Sequence, residues 1–168
     1  MPIVDVTIYY LEMRSPPKQT SSPPRPGLTV VRAKNPTLRY YRFLYQSVGK
    51  EYYWYTRGRM PDAELAASLH HPGHQVQVLH VDGVPAGFAE LDCRTSEIEL
   101  MQFGLMPEFI GQGLGKYFLD WTIAHVWSLK PKRFWLHTCS LDHPRALPNY
   151  LAAGFVHYKS EVIQRELD

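Results

Sequence analysis

Residues 97–119, EIELMQFGLMPEFIGQGLGKYFL, pass from an extended segment through three glycines into a helical one. Glu97 to Leu105 reads as a strand, and Met106-Pro107 ends it. Leu114, Phe118, Trp121, Thr122 and Val126 then mark one face of a long helix that stops before Pro131. Phe134 to Thr138 is a buried-type strand, and a strand-helix-strand crossover sets its two strands parallel. Gly111, Gly113 and Gly115 stand at alternate positions where strand gives way to helix. With no Cβ atoms in the way, successive amides there can point at one anion, and the helix N-terminus adds its partial positive charge. A diphosphate suits such a loop. The pattern is GxGxG, not the GxGxxG of dinucleotide folds, and Lys116 is followed by Tyr117 where a nucleotide-triphosphate loop needs Ser or Thr. The alternative is a tight turn with no ligand.

Upstream, Gln75 to Val81 alternates, Asp82-Gly83 is a hairpin turn, and Pro85 to Leu91 returns as its partner. With Glu97 to Leu105, beyond the turn Arg94-Thr95-Ser96, these strands form an antiparallel meander. A helix follows Asn35-Pro36-Thr37, with Leu38, Tyr41, Leu44, Tyr45 and Val48 at helical spacing up to Gly49. A shorter helix follows Pro61-Asp62, with Leu65 and Leu69 inward. The aromatic stretch Glu51 to Arg57 between them reads as a loop, either packing or a substrate wall. Residues 14–27, RSPPKQTSSPPRPG, form a proline-rich linker or surface arm between strands Val4 to Leu11 and Leu28 to Arg32. At the other end, a short helix over Leu147 to Ala152, stopped by Gly154, leads into a closing strand, Val156 to Gln164. An α/β fold results, a mixed sheet with helices on its faces.

The 168 residues carry 18 basic and 16 acidic side chains, a formal charge of +2, and 45% are hydrophobic, which suits one domain over residues 1–168. No basic run suggests a nucleic-acid partner. No apolar run nears the roughly 20 residues of a membrane span, and Met1 to Leu11 has no basic leader. Cys93 and Cys139 lack CxxC spacing, so no disulfide framework is expected and a cytoplasmic setting fits. His70, His71 and His74 spell HHxxH but show no common face and no fourth ligand, so they read as a polar loop and no metal is expected.

Residues 97–119 resemble the acetyl-coenzyme A signature of the GNAT N-acetyltransferase superfamily. Leu141 to Phe155, LDHPRALPNYLAAGF, is similar to its second signature, in which a tyrosine, here Tyr150, precedes a Gly-Phe pair by four residues. The resemblance is strongest over residues 97–158. It implies a mixed, mostly antiparallel sheet with helices on both faces and a central splayed strand pair. It also implies acetyl-coenzyme A as co-substrate and direct transfer of the acetyl group to an amine of a small molecule or peptide. On this resemblance the cofactor lies along Phe103, Gly104 and Leu105, with the Phe103 amide as oxyanion donor. Its phosphates lie on Ile110, Gly111, Gln112, Gly113, Leu114, Gly115 and Lys116, and Asn149 bonds its arm. Ile110 departs from the superfamily, which usually has Arg or Gln there; Gln112 and Lys116 can supply the polar contact.

Tyr150 maps onto the tyrosine that protonates the departing thiolate, a match of two weak acids of similar basicity; the alternative is a packing role. Glu99 maps onto the family's general base. Its alternation partners Met101, Phe103 and Leu105 are apolar, which would raise its pKa, though a solvated edge position is the alternative. Glu90 on the neighbouring strand is a second candidate. Tyr52, Tyr53, Trp54 and Tyr55 fall where the superfamily lines its acceptor side, suited to stacking and cation-π contacts. His143 reads as a cap of the last helix. Cys139 has no activating neighbours and is not read as a nucleophile. Other readings are a GNAT-shaped protein that binds acyl-coenzyme A without turnover, or a different acyl donor. The chain is expected to be a monomer or a homodimer, with the arm and first strand able to bridge two copies.

Overall fold

The computed structural model describes residues 1–18 and 21–168. Strands β1 (Ile3–Met13), β2 (Leu28–Arg32), β3 (His74–Val81), β4 (Val84–Asp92), β5 (Glu97–Leu105), β6 (Arg133–Cys139) and β7 (Val156–Glu166) form one sheet. Their order is β2-β3-β4-β5-β6-β1-β7. Neighbours run antiparallel except β5 and β6, the pair joined by the crossover helix. The helices are α1 (Leu38–Gly49), α2 (Thr56–Arg59), α3 (Asp62–Leu69), α4 (Leu114–Ser128) and α5 (Ala146–Ala152). Among the described residues, no helix is long and apolar enough to cross a membrane.

Thr37 starts α1 by accepting the Tyr40 amide on its hydroxyl at 3.2 Å. Tyr41, Leu44, Tyr45 and Val48 then fall on one buried stripe that meets Leu65 and Leu69 of α3 and Val76, Val78 and Phe88 of the sheet. On the opposite face Leu114, Phe118, Ile123 and Val126 of α4 and Tyr150 of α5 pack on Leu91, Ile98, Leu100, Phe134 and Leu136. The two apolar clusters thus cover both faces of the central strands.

β1 lies inside the sheet, paired along one edge with β6 and along the other with β7. Both its edges are therefore used within its own chain. The proline-rich arm is anchored on the molecule at both ends. Pro17 packs by Gly154, Ser21 bonds Asp120 and Lys116, and a Cβ at Gly113 would stand 3.6 Å from Pro24. Arg25 pairs with Asp82 at 2.7 Å beside β2. Gln19 and Thr20 of the arm lie outside the described residues.

The aromatic stretch expected to be a loop is more ordered than that. A 3-10 turn over Lys50–Tyr52 leads to Tyr53 in the left-handed region (φ 59°), and α2 follows. Two contacts fix this path. The Trp54 ring occupies the space where a Cβ on Gly49 would be, and Arg57 is buried against Glu90 at 2.8 Å.

Candidate active site

β5 and β6 pair only between Glu97–Leu100 and Arg133–Leu136, then part. A cavity of about 510 Å³ fills the opening. Its central walls are Met101 to Leu105 of β5 and His137 to Cys139 of β6. One mouth is formed by the glycine loop with Asn149 and Tyr150 of α5, the other by Tyr52 to Thr56. The splayed pair expected from the resemblance is present.

A β-bulge accompanies the opening. Leu91 faces Leu100 while Glu90 faces Gln102, so Met101 is an extra residue in β5. It resets the alternation: Ile98 and Leu100 before it, and Phe103 and Leu105 after it, all pack toward α4, whereas Gly104 faces Val48 and Trp54. Glu99 therefore does not share a face with Phe103 and Leu105, as unbroken alternation predicts.

Glu99 sits opposite Asp92 on the α1 face, with one-fifth of its side chain exposed. Burial first, then the like charges of Asp92 and Glu90, push its carboxyl up to about 7. It does not itself line the cavity. His137 does, with Nε2 3.8 Å from the Glu99 carboxylate, and burial lowers the imidazole's pKa.

Glu90 is in a different place from the one its sequence position suggests. It is fully buried away from the cavity and accepts from the Tyr41 hydroxyl and from Arg57 at 2.8 Å, with His74 Nε2 also at 2.8 Å. An isolated carboxylate could not be held there, so this is a paired structural charge that braces α1, α2 and β3. His74 is correspondingly part of β3 and buried, not in a polar loop. Its sequence neighbours diverge from it: His70 bonds the Pro36 carbonyl, and His71 accepts from the Gly73 amide. Among the described residues no group of three or more His, Cys, Asp or Glu could hold a metal ion.

At the loop, Gly111 (φ 84°) and Gly113 (φ 79°) adopt the left-handed backbone that glycine allows. Gly113 caps α4 with no side-chain bond, leaving the first-turn N–H groups open to an anion. Ile110, Gly111, Gly113, Gly115 and Lys116 line the cavity. Leu114 is buried beneath it, and the Gln112 side chain is exposed and bonded to the Glu108 carbonyl, so neither side chain lines it. Lys116 reaches Asp120 at 2.8 Å. The Tyr150 ring stands edge-on to Phe103, centroids 6.3 Å apart. Burial, and then Asp142, push its phenol well up, so it stays protonated.

The acceptor mouth is fastened by Asp142, which the sequence reading passed over. Its carboxylate accepts from the Thr138 hydroxyl (2.5 Å), the Cys139 amide (3.0 Å) and the Trp54 indole (3.4 Å), tying the aromatic wall to the loop after β6. His143 Nδ1 accepts the Arg145 amide at 3.0 Å just before α5, but Arg145 is the N-cap residue and α5 has no side-chain cap, so His143 orders the turn ahead of the helix rather than capping it; Tyr52 stands edge-on to its ring. Burial raises the Cys139 thiol pKa, keeping it from the thiolate form. Arg165 of β7, also missed, enters the wall by donating to the Tyr53 carbonyl and lying 5.3 Å over the Tyr55 ring. Only strand alternation hinted at His137, which follows Trp135 on the side away from Phe134 and Leu136.

The acetyltransferase (GNAT) family model matches residues 39–155. No curated protein matches the chain in sequence. Solved structures share its fold. A GCN5-related N-acetyltransferase from Sphaerobacter thermophilus superposes with a TM-score of 0.68 at 14% identity, over 98% of this chain and 52% of that one. A ribosomal-protein alanine N-acetyltransferase from Escherichia coli gives 0.64 at 16%, covering 82% and 92%. An aminoglycoside acetyltransferase from an uncultured soil metagenomic sample gives 0.60 at 16%, covering 76% and 88%. The chain spans about half the length of the Sphaerobacter protein.

Proposed function

The chain belongs to the acetyltransferase (GNAT) family, and from that premise we propose that it is an N-acetyltransferase, moving the acetyl group of acetyl-coenzyme A directly to an amine. The observation that carries this reading is the single cavity running between the parted strands, from the open amides of the glycine loop, past Tyr150, to an aromatic wall. A diphosphate fits the loop because Gly111 and Gly113 clear the approach to the start of α4. The edges of β5 and β6 that face each other across the opening can bond a pantetheine arm as a strand would.

The amine nitrogen attacks the thioester carbonyl while the Phe103 amide bonds the developing oxyanion. As the C–N bond replaces the C–S bond, Tyr150 gives its phenol proton to the thiolate and regains one from solvent. The amine's own proton leaves through His137, an imidazole on the cavity wall, with Glu99 behind it as positioning residue and final acceptor. Two free thiols suit a cytoplasmic setting, and residues 1–168 are taken as one domain.

Calorimetric titration with acetyl-coenzyme A, against coenzyme A and ATP, tests the reading. Micromolar binding of the coenzyme A species alone, followed by amine-dependent thiol release, is expected. Absence of binding refutes the reading, and binding without thiol release from any amine leaves an acyl-coenzyme A sensor.

A further inference from the structure

We infer that the acceptor is a small amine that also carries a carboxylate, of the amino-acid type, and that Arg165 receives that carboxylate. The inference rests on the acyltransferase reading above and concerns the charge of its acceptor mouth.

Arg165 lines the cavity among Tyr53, Tyr55 and Cys139. One of its N–H groups goes to the Tyr53 carbonyl, which fixes the guanidinium without neutralising it. Among the described residues no carboxylate pairs with Arg165, whereas nearby Arg59 is taken by Asp168. The one carboxylate on the cavity wall, again among the described residues, is Asp142. It already holds Thr138, Cys139 and Trp54.

A polycationic acceptor would therefore meet an unneutralised guanidinium and no open anion. The Tyr55 ring offers such an acceptor little, since it already serves two cations, Arg59 at 4.4 Å and Arg165 at 5.3 Å. A carboxylate, in contrast, matches the planar fork of Arg165 and its remaining donors. The positive charge would also favour the uncharged, nucleophilic form of a nearby amine. Tyr52 and Trp54 supply an aromatic surface for the acceptor's apolar body.

The test measures thiol release from acetyl-coenzyme A with the common amino acids, each paired with its carboxamide, and with kanamycin as a polycation. Acetyl-coenzyme A binding is followed separately by calorimetry. At least one amino acid should show kcat/KM ten or more times that of its amide, with kanamycin inert. Arg165→Gln should bring that ratio close to one without changing acetyl-coenzyme A affinity, while Arg165→Lys, which keeps the charge, should retain part of the preference. The inference is overturned if amides or kanamycin are the better substrates, if no amino acid is acetylated by a protein that binds acetyl-coenzyme A, or if Arg165→Gln leaves the ratio intact. A protein that fails to bind acetyl-coenzyme A removes the acyltransferase reading itself.

Discussion

Replacing Glu99 by Gln removes a carboxylate held at an unfavourable place while keeping its shape. The folded chain raises this group from 4.5 to about 7. Between those values the folded state binds more protons than the unfolded state, so stability falls as pH rises through the window and the loss is complete above pH 7. That rise corresponds to about 3 kcal/mol. One-fifth of the side chain is exposed, and solvent screening reduces the expected effect to about 1–2 kcal/mol. Urea unfolding followed by the fluorescence of the four tryptophans should find Glu99→Gln more stable by that amount at pH 8 and much less so at pH 5. In the same variant the acidic limb of kcat/KM should flatten, because the final proton acceptor is gone. An equal stability difference at both pH values would refute the raised carboxyl. A normal acidic limb beside the expected stability change would leave His137 or water as the base and Glu99 as a structural residue.

Tyr150→Phe should lower kcat at least tenfold, about 1.4 kcal/mol, with acetyl-coenzyme A affinity preserved in calorimetry; unchanged turnover would remove the tyrosine as acid. Gly113→Ala forces a Cβ onto a φ of 79° at a cost of about 1–2 kcal/mol, so calorimetry should show acetyl-coenzyme A binding weakened roughly tenfold, and undiminished affinity would mean that the loop does not hold the phosphates. Arg57→Met leaves Glu90 with one cation fewer and should destabilise by about 3–5 kcal/mol in urea unfolding. Adding Glu90→Leu should recover much of that loss, and a strictly additive double variant would show that the pair is not coupled.

Much of the fold was legible because it is written in local periodicity. The stripes of α1 and α4, the Asp82-Gly83 hairpin and the crossover between β5 and β6 need only neighbours within a few residues, and each is found close to where the pattern puts it. The glycine loop was read from its spacing and Tyr150 from the resemblance to the family's second signature, and both line the cavity. What escaped involves distant partners or a broken period. The bulge at Met101 adds one residue to β5, and that is enough to turn Phe103 and Leu105 away from the face of Glu99. Glu90 looked like an active-site carboxylate because Arg57, 33 residues before it, carries no local sign of the ion pair it forms. Asp142 and Arg165 became visible as wall residues only when Trp54 and Tyr53 were folded beside them.

The position of β1 shows how the parted strands can be stable at all. Beyond Leu136, β6 has left β5, and an unpaired strand tip would expose its backbone groups along both edges. β1 covers the other edge: Leu11 faces Leu136, Tyr10 faces His137, Tyr9 faces Thr138 and Ile8 faces Cys139. The half of β6 that lines the cavity is therefore held from behind by a strand that lies more than 120 residues away in sequence. β7 in turn backs β1 along nearly its whole length and brings Arg165 to the cavity. The opening between β5 and β6 is thus sustained by pairing on the far side of the sheet. Changes to β1 that leave every cavity residue in place should still loosen His137 and the acceptor mouth.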